Sequence, residues 1–293
     1  MTHSRDRGGS SSRRALGRFA LYVREDVRDS VRERQAHILG TLFVLIGFGI
    51  AYTTGRAVAR APPAAEIGLM SRLVGPLRLL IPLVTLGAVA VALVEKRMSG
   101  ELTVLLGLPF SRLVVVLGTL VGRSIVISAA VLSSLLVALL VALVMGVPVD
   151  LVQFTGAAIG LVALAITFTA IAVSISAVTR TSARATFVAF GVYVLFALQI
   201  WGNLPMTILY VSHGFTLPET IPQWVEFVQA LNPMTAFSNG LGVVFPSLTE
   251  GAPGLISTDP ALYERPAFVV CILAAWIVVA VALGYRQFRT SDI

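Results

Sequence analysis

Lys96 is the only lysine in the chain, and it follows Glu95 rather than a glycine. A phosphate-binding loop of the GxxxxGKS/T type needs a lysine at the end of a glycine turn to reach the β- and γ-phosphates. That cradle is absent, so any ATP hydrolysis must come from another polypeptide. The histidines are His3, His37 and His213, and no two of them stand at ligand spacing. Zinc, haem and di-iron centres draw on several convergent His, Cys or carboxylate groups, so no metal site is expected. Cys271 is the single cysteine. It cannot form an internal disulfide and is expected to pack as a small apolar residue. Ser128, Ser133, Ser134, Ser174 and Ser176 lie in apolar stretches without a companion base. They are expected to hydrogen-bond within or between helices rather than act as nucleophiles. The chain therefore reads as non-catalytic, with no cofactor of its own.

The elements carrying these residues are built for lipid. Hydrophobic residues make up 56% and charged residues 13% of the 293 positions, against roughly 25% charge in a soluble domain. The formal charge is +7, and residues 1–37 hold nine arginines against five acidic residues just before the first apolar run. This pattern predicts an anionic membrane surface and a cytoplasmic N-terminus rather than nucleic acid. No short apolar core with a small-residue cleavage site follows, so the start does not read as a signal peptide.

Apolar runs predict an all-α polytopic protein with six spans near 38–54, 74–94, 125–147, 152–178, 185–204 and 267–285. The apolar pattern of the third begins at Leu113. A helix to Val147 would measure about 50 Å, so Arg123 is expected near the inner surface. Arg180, Arg184, Arg286 and Arg289 fall on the inner side, and Glu219, Glu226, Glu250, Asp259 and Glu264 in the long outer segment 206–266. Both termini are then cytoplasmic, in the plasma membrane. Arg56, Arg60 and Arg72 in the first outer loop run against this rule, and Arg78 is expected to snorkel outward. Gly118 with Gly122, and Gly156 with Gly160, permit close helix approach.

Residues 1–15 read as a disordered basic segment. In 16–37, Leu16, Phe19, Ala20, Val23, Val27 and Val31 recur at spacings of three and four among arginines and acids. This predicts an amphipathic interfacial helix before the membrane domain at 38–293. Between the second and third spans, Ser99 and Gly100 break the helix and Pro109 closes a short segment. Leu102, Val104, Leu105, Leu106 and Leu108 are expected to be exposed there, ready for a partner's groove or the bilayer. After the fifth span, the sequence from Pro218 to Gln229 predicts a helix with Trp224, Phe227 and Val228 on one face.

Glu95, Lys96, Arg97, Gly100, Leu105, Leu106, Pro109, Ser111 and Arg112 match in order a loop of the membrane permease subunit of type-2 ABC exporters. The resemblance extends to the amphipathic helix, the six spans, the long outer segment and Leu231-Asn232-Pro233. Many relatives have Gly-Lys after the loop, where this chain has Gly118-Thr119, with Arg123 the nearest cation. The resemblance implies a coupling helix at about 100–109 that docks on a separate ABC ATPase carrying ATP and Mg. It implies a second contact at Arg180, Thr181 and Arg184, and a second permease copy, identical or paralogous, in contact with membrane lipids. The interfacial helix with Phe19, Val23 and Val27 would transmit motion. Trp224, Phe227, Asn232 and Pro233 would shape an outer gate. Relatives export drugs, lipids and polysaccharides, and some serve maturation of copper enzymes. An ion-coupled transporter and a membrane scaffold are the alternatives; the scarcity of Asp and Glu within the spans weighs against the first. Ala64 tests the disputed loop. An Ala64→Cys variant in a Cys271→Ala background is expected to react with an impermeant maleimide from outside intact cells, and labelling only after permeabilisation would reverse that side.

Overall fold

The computed structural model describes residues 6–60, 68–107, 110–218, 220–248, 263 and 265–290; for 6–15, Leu106 and Ser247 the backbone alone is described. Among these residues there is no strand. Helix α1 (Asp6–Arg32) is followed by extended Glu33, which turns the chain into α2 (Arg34–Val58). The chain continues as α3 (Leu69–Val89), α4 (Ala92–Met98), α5 (Glu101–Gly107), α6 (Arg112–Val144) and α7 (Leu151–Val178). The remainder forms α8 (Ser182–Ala197), α9 (Ile200–Ser212), α10 (Gln223–Ala230), α11 (Pro233–Val244), a 3₁₀ turn (Pro246–Leu248) and α12 (Pro266–Thr290).

Among the described residues, five helices are long and apolar enough to cross a bilayer: α2, Leu69–Met98, α6, α7 and α12. The pair α8 and α9 makes a sixth if counted as one span, bent by 61°. The sixfold expectation thus holds, with the fifth span broken. Gln199 sits at the break in the left-handed region, with φ 59°. Breaking a helix in an apolar setting strands backbone groups that must find other partners. Here the Asn232 side chain donates to the Phe196 carbonyl (3.2 Å), and Trp201 and Gln229 tie α9 to α10 through Val228 O and Gly202 O. Rings of Phe168, Phe196, Trp201 and Trp276 pack around the break with centroids 5.1–6.4 Å apart.

The second span is also longer than the apolar count, running from Leu69 to Met98 with a break at Ala90 and Val91. At that break the Leu93 and Val94 amides donate to the Ser176 hydroxyl of α7 (2.8 and 3.2 Å). The serine therefore acts as helix-to-helix glue. The predicted long third span is α6, 33 residues or about 50 Å.

Close crossings fix the bundle. α6 packs most extensively on α2, and α7 on α12 and α3. At the α2–α6 crossing a Cβ on Gly47 would lie 2.4 Å from the Ser134 carbonyl oxygen, and Ser134 Oγ donates to Phe43 O (2.6 Å). Gly156 and Gly160 receive the rings of Phe245 and Phe237, so this glycine pair serves packing within the chain. Gly49, two residues on and so on the opposite side of α2, has open space around it. Gly47→Val is expected to lower stability by about 1–3 kcal/mol through overpacking, with Gly49→Val near neutral. Thermal unfolding of the purified variants in one detergent checks this, and equal melting temperatures would contradict the crossing.

Candidate functional site

Helix α1 turns a polar row inward. Tyr22, Asp26 and Ser30, spaced by four, are buried, while Leu16, Ala20, Leu21 and Val31 are exposed. Phe19, Val23 and Val27 are half-buried at the edges of that row. The apolar face is thus left for lipid, as an interfacial helix requires, and the polar face is pressed onto α6.

That approach depends on Gly118 and Gly122. A Cβ on Gly118 would stand 2.3 Å from the Tyr22 ring, and one on Gly122 2.6 Å from Asp26 Oδ2. This glycine pair therefore houses α1 of the same chain. Tyr22 OH and Thr119 Oγ1 share a hydrogen bond of 3.0 Å, and Lys96 Nζ lies 5.4 Å from the Tyr22 ring centroid. Lys96 donates to Asp26 Oδ1 at 2.9 Å and stands 3.6 Å from Glu101 Oε1 at the start of α5. On the other side of Asp26, Arg123 Nε is 3.7 Å from Oδ2, while its two terminal nitrogens form a fork on Glu33 at 3.1 and 3.0 Å.

Five charged side chains from α1, the α1–α2 junction, α4, α5 and α6 therefore form one connected cluster. Burial pushes the Asp26 carboxyl above its ordinary value, against the opposing pull of Lys96 and then Arg123. Burial likewise raises the Tyr22 phenol, with Lys96 opposing. Removing either partner of such a buried pair strands the other charge, so the pair holds α1 to one position against α4 and α6. The cluster is a positioning device.

The loop residues divide by role. Gly100 takes φ +77°, the left-handed turn that lets α5 fold back under α4. Glu95 is exposed at the rim. Lys96, which matches the coupling-loop pattern, is buried, and its charge is taken by Asp26. Arg97 caps the C-terminal carbonyls of α7 through Thr179 O (2.9 Å) and Ala177 O, and lies over the Phe288 ring. Arg112 does the same for α12 through Phe288 O and Arg289 O (2.8 and 2.9 Å). Ser111 caps α6 by accepting from the Val114 amide. These cations answer helix-end dipoles inside the chain.

Leu102, expected to be exposed, is fully buried in the core, while Val104 is 69% exposed and Leu105 half-buried. The amphipathic period of α5 explains the difference: one side closes the bundle and the other faces out. The Leu106 side chain, Leu108 and Pro109 lie outside the described residues. The second predicted contact is adjacent. Arg180, Thr181 and Arg184 are exposed, Thr181 caps α8, and the Ser182 hydroxyl meets Met98 Sδ at 3.7 Å. The two segments therefore share one end of the bundle.

At the opposite end, Trp224 and Phe227 of α10 are exposed, with Phe227 against Phe268 of α12 (5.9 Å between centroids). Asn232 and Pro233 do not join them. Asn232 is buried as the N-cap of α11, accepting from the Met234 amide, and Pro233 is the first helical residue. Their work is structural.

Sequence reasoning passed over Tyr22, Asp26, Glu33 and Thr119, and placed Arg123 only by cost. The signal was present in two matched spacings: Tyr22, Asp26 and Ser30 along α1, and Gly118 and Gly122 along α6. Among the described residues no group of His, Cys, Asp and Glu could hold a metal.

Comparison with known families gives a match to the ABC-2 family transporter proteins over residues 21–293. Among curated proteins, none matches the chain. The matched region begins within α1 and takes in all five members of the charged cluster. Lys96→Met is expected to cost about 3–5 kcal/mol by stranding the Asp26 carboxylate, and Asp26→Leu combined with Lys96→Met less than the sum of the two single changes. Chemical unfolding of the four proteins in micelles reads this coupling; strictly additive effects would show that the pair is not a unit.

Proposed function

We propose, from the premise that the chain belongs to the ABC-2 family of transporter proteins, that it is a permease driven by a separate ABC ATPase docked on α5 and the 179–184 turn. The family assignment makes the chain a membrane transport component. The observation supporting the finer reading is the ion pair between Asp26 of α1 and Lys96, one turn before α5. Any displacement of α5 by a partner is passed to α4 through the short Ser99–Gly100 link, and from Lys96 to α1 and α6. Coupling requires that the partner's contacts differ between its nucleotide states. Only then does closure of the ATPase bias the arrangement of the spans.

The surface available for docking is mixed. Val104, Met98 and Phe187 are 69%, 66% and 79% exposed, and Arg180 and Arg184 flank them. A complementary partner presents an apolar groove with an acidic rim. ATP and Mg are held by that partner. The arginine-rich end is cytoplasmic in this reading, both termini lie there, the membrane is the plasma membrane, and two permease copies enclose the path. Trp224 and Phe227 stand at the far end, where a gate would be.

The docking surface is tested by charge insertion at exposed Val104 and at half-buried Leu105 beside it. Val104→Asp, alone and with Leu105→Asp, is expected to reduce co-purification of the co-expressed ATPase at least tenfold while Val104→Asp leaves the melting temperature unchanged. Retention of the ATPase with full ATP-dependent transport would remove α5 as the coupling element, and transport in vesicles driven by an ion gradient without ATP would replace the mechanism altogether.

A further inference from the structure

Arg78 stands deep in the bundle, far from the charged cluster. It is nine residues inward from Leu69, the first residue of α3, or about 14 Å along the helix. Its partner gives the same depth independently. Arg78 Nη1 donates to the Ser238 hydroxyl of α11. Phe237, the residue before Ser238, packs on Gly160, itself nine residues inward from Leu151, the first residue of α7. Two helices thus place the guanidinium well below the end of the bundle opposite α1. The span Leu69–Met98 has 30 residues, about 45 Å, so centred on a hydrocarbon core of about 30 Å it puts Arg78 in the outer half of that core.

An arginine there is costly unless a partner takes its charge, and ionisable groups at such depth mark substrate or ion pathways. Among the described residues no carboxylate lies within ion-pair distance of Arg78. Its Nε is buried without a hydrogen-bond partner. Ser238 takes only one of its five donors, and a hydroxyl carries no compensating charge; the Ser238 hydroxyl is itself tied to Met234 O (3.0 Å). The residue is not sealed in. It lies at the border between the buried Val74, Leu77 and Ile81 and the exposed Leu79 and Leu83. A planar fork of donors beside exposed apolar side chains matches an oxyanion attached to a hydrocarbon chain.

We propose that Arg78 is a substrate-recognition residue of the translocation path, binding the oxyanion head group of a transported amphiphile while its chain lies along the apolar face of α3. This rests on the permease reading and adds the chemical class of the substrate. Ser238 positions the guanidinium by holding one arm and leaving the others to the ligand.

The test uses the full chain in nanodiscs of a zwitterionic lipid, with hexadecyl phosphate, hexadecanol and inorganic phosphate as probes. Wild type is expected to bind hexadecyl phosphate at least tenfold more tightly than hexadecanol. Arg78→Gln and Arg78→Met are expected to abolish that preference, and Arg78→Lys to retain part of it, with melting temperatures confirming that each variant is folded. Inorganic phosphate binding as tightly as hexadecyl phosphate would support the anion site and identify a free oxyanion as its source; failure to bind supports the amphiphile. A wild type without the preference, or an Arg78→Gln variant that keeps it, overturns the proposal. So does a joint Glu66→Gln, Glu219→Gln, Glu250→Gln, Asp259→Asn and Glu264→Gln variant that loses as much stability as Arg78→Met and shows no further loss when combined with it. That outcome would make Arg78 half of an ion pair within the chain. Binding is read without any ATPase, so its failure retires the anion site alone. Failure of the chain to engage an ATPase would retire the permease reading alone.

Discussion

The bundle depends on how one acidic side chain is satisfied. Asp26 is 2% exposed and receives Lys96 on one oxygen, with Arg123 beside the other. In water such a pair would be weak and screened. Enclosed between α1, α4 and α6, it admits few geometries, because each departure strands a buried charge. An apolar contact would let α1 slide in the interface; a charged one gives it a register. Glu33 adds a second constraint at the turn into α2, through the fork on Arg123. The interfacial helix, the loop at α5 and the long α6 are consequently linked through these side chains, in addition to the broad packing of α6 on α2.

The rest of the interior follows membrane logic. Lipid tails are as apolar as the side chains facing them, so close approach and polar contacts supply the association between helices. Gly47 at the α2–α6 crossing and Gly284 against Ser174 at the α7–α12 crossing bring backbones together. Ser134, Ser176 and Asn232 then satisfy carbonyls or amides that bends and crossings expose. Helix ends obey the same accounting, with Arg97 and Arg112 covering the last carbonyls of α7 and α12. The basic character of the loop region thus serves the chain's own helix termini first. What remains for a partner is Val104, Met98 and the exposed arginines of the 179–184 turn.

Hydropathy made the spans legible because length and apolarity are summed over many residues. It did not reveal the break at Gln199: the surrounding Phe196-Ala197-Leu198 and Ile200-Trp201 are uniformly apolar, and a left-handed glutamine leaves no compositional trace. The interfacial helix was legible on its lipid side. Its inner face was not, since pairing Asp26 with Lys96 joins positions 70 residues apart. Leu102 was misplaced for a related reason. An apolar loop residue looks the same in sequence whether it waits for a partner or closes the core, and only the left-handed turn at Gly100 decides which face of α5 turns inward.

The distribution of unmet polarity separates two tasks. At the α1 end every charge has an opposite partner within the chain: Lys96 is shared by Asp26 and Glu101, and Arg123 by Asp26 and Glu33. Because each cation is shared by two carboxylates, the cluster can shift without stranding a cation, which would suit an element that transmits movement. At the other end Arg78 has only a neutral hydroxyl among the described residues. Net charge held in an apolar setting suits recognition, since its cost falls when a ligand supplies the counter-charge. In the proposed reading, binding and movement use the same electrostatics differently: Arg78 would be stabilised from outside the chain, whereas the α1 cluster is satisfied within it. Because α3 continues through its break into α4, Arg78 and Lys96 lie on a single span, which joins the proposed ligand site at one end to the anchor of α1 at the other.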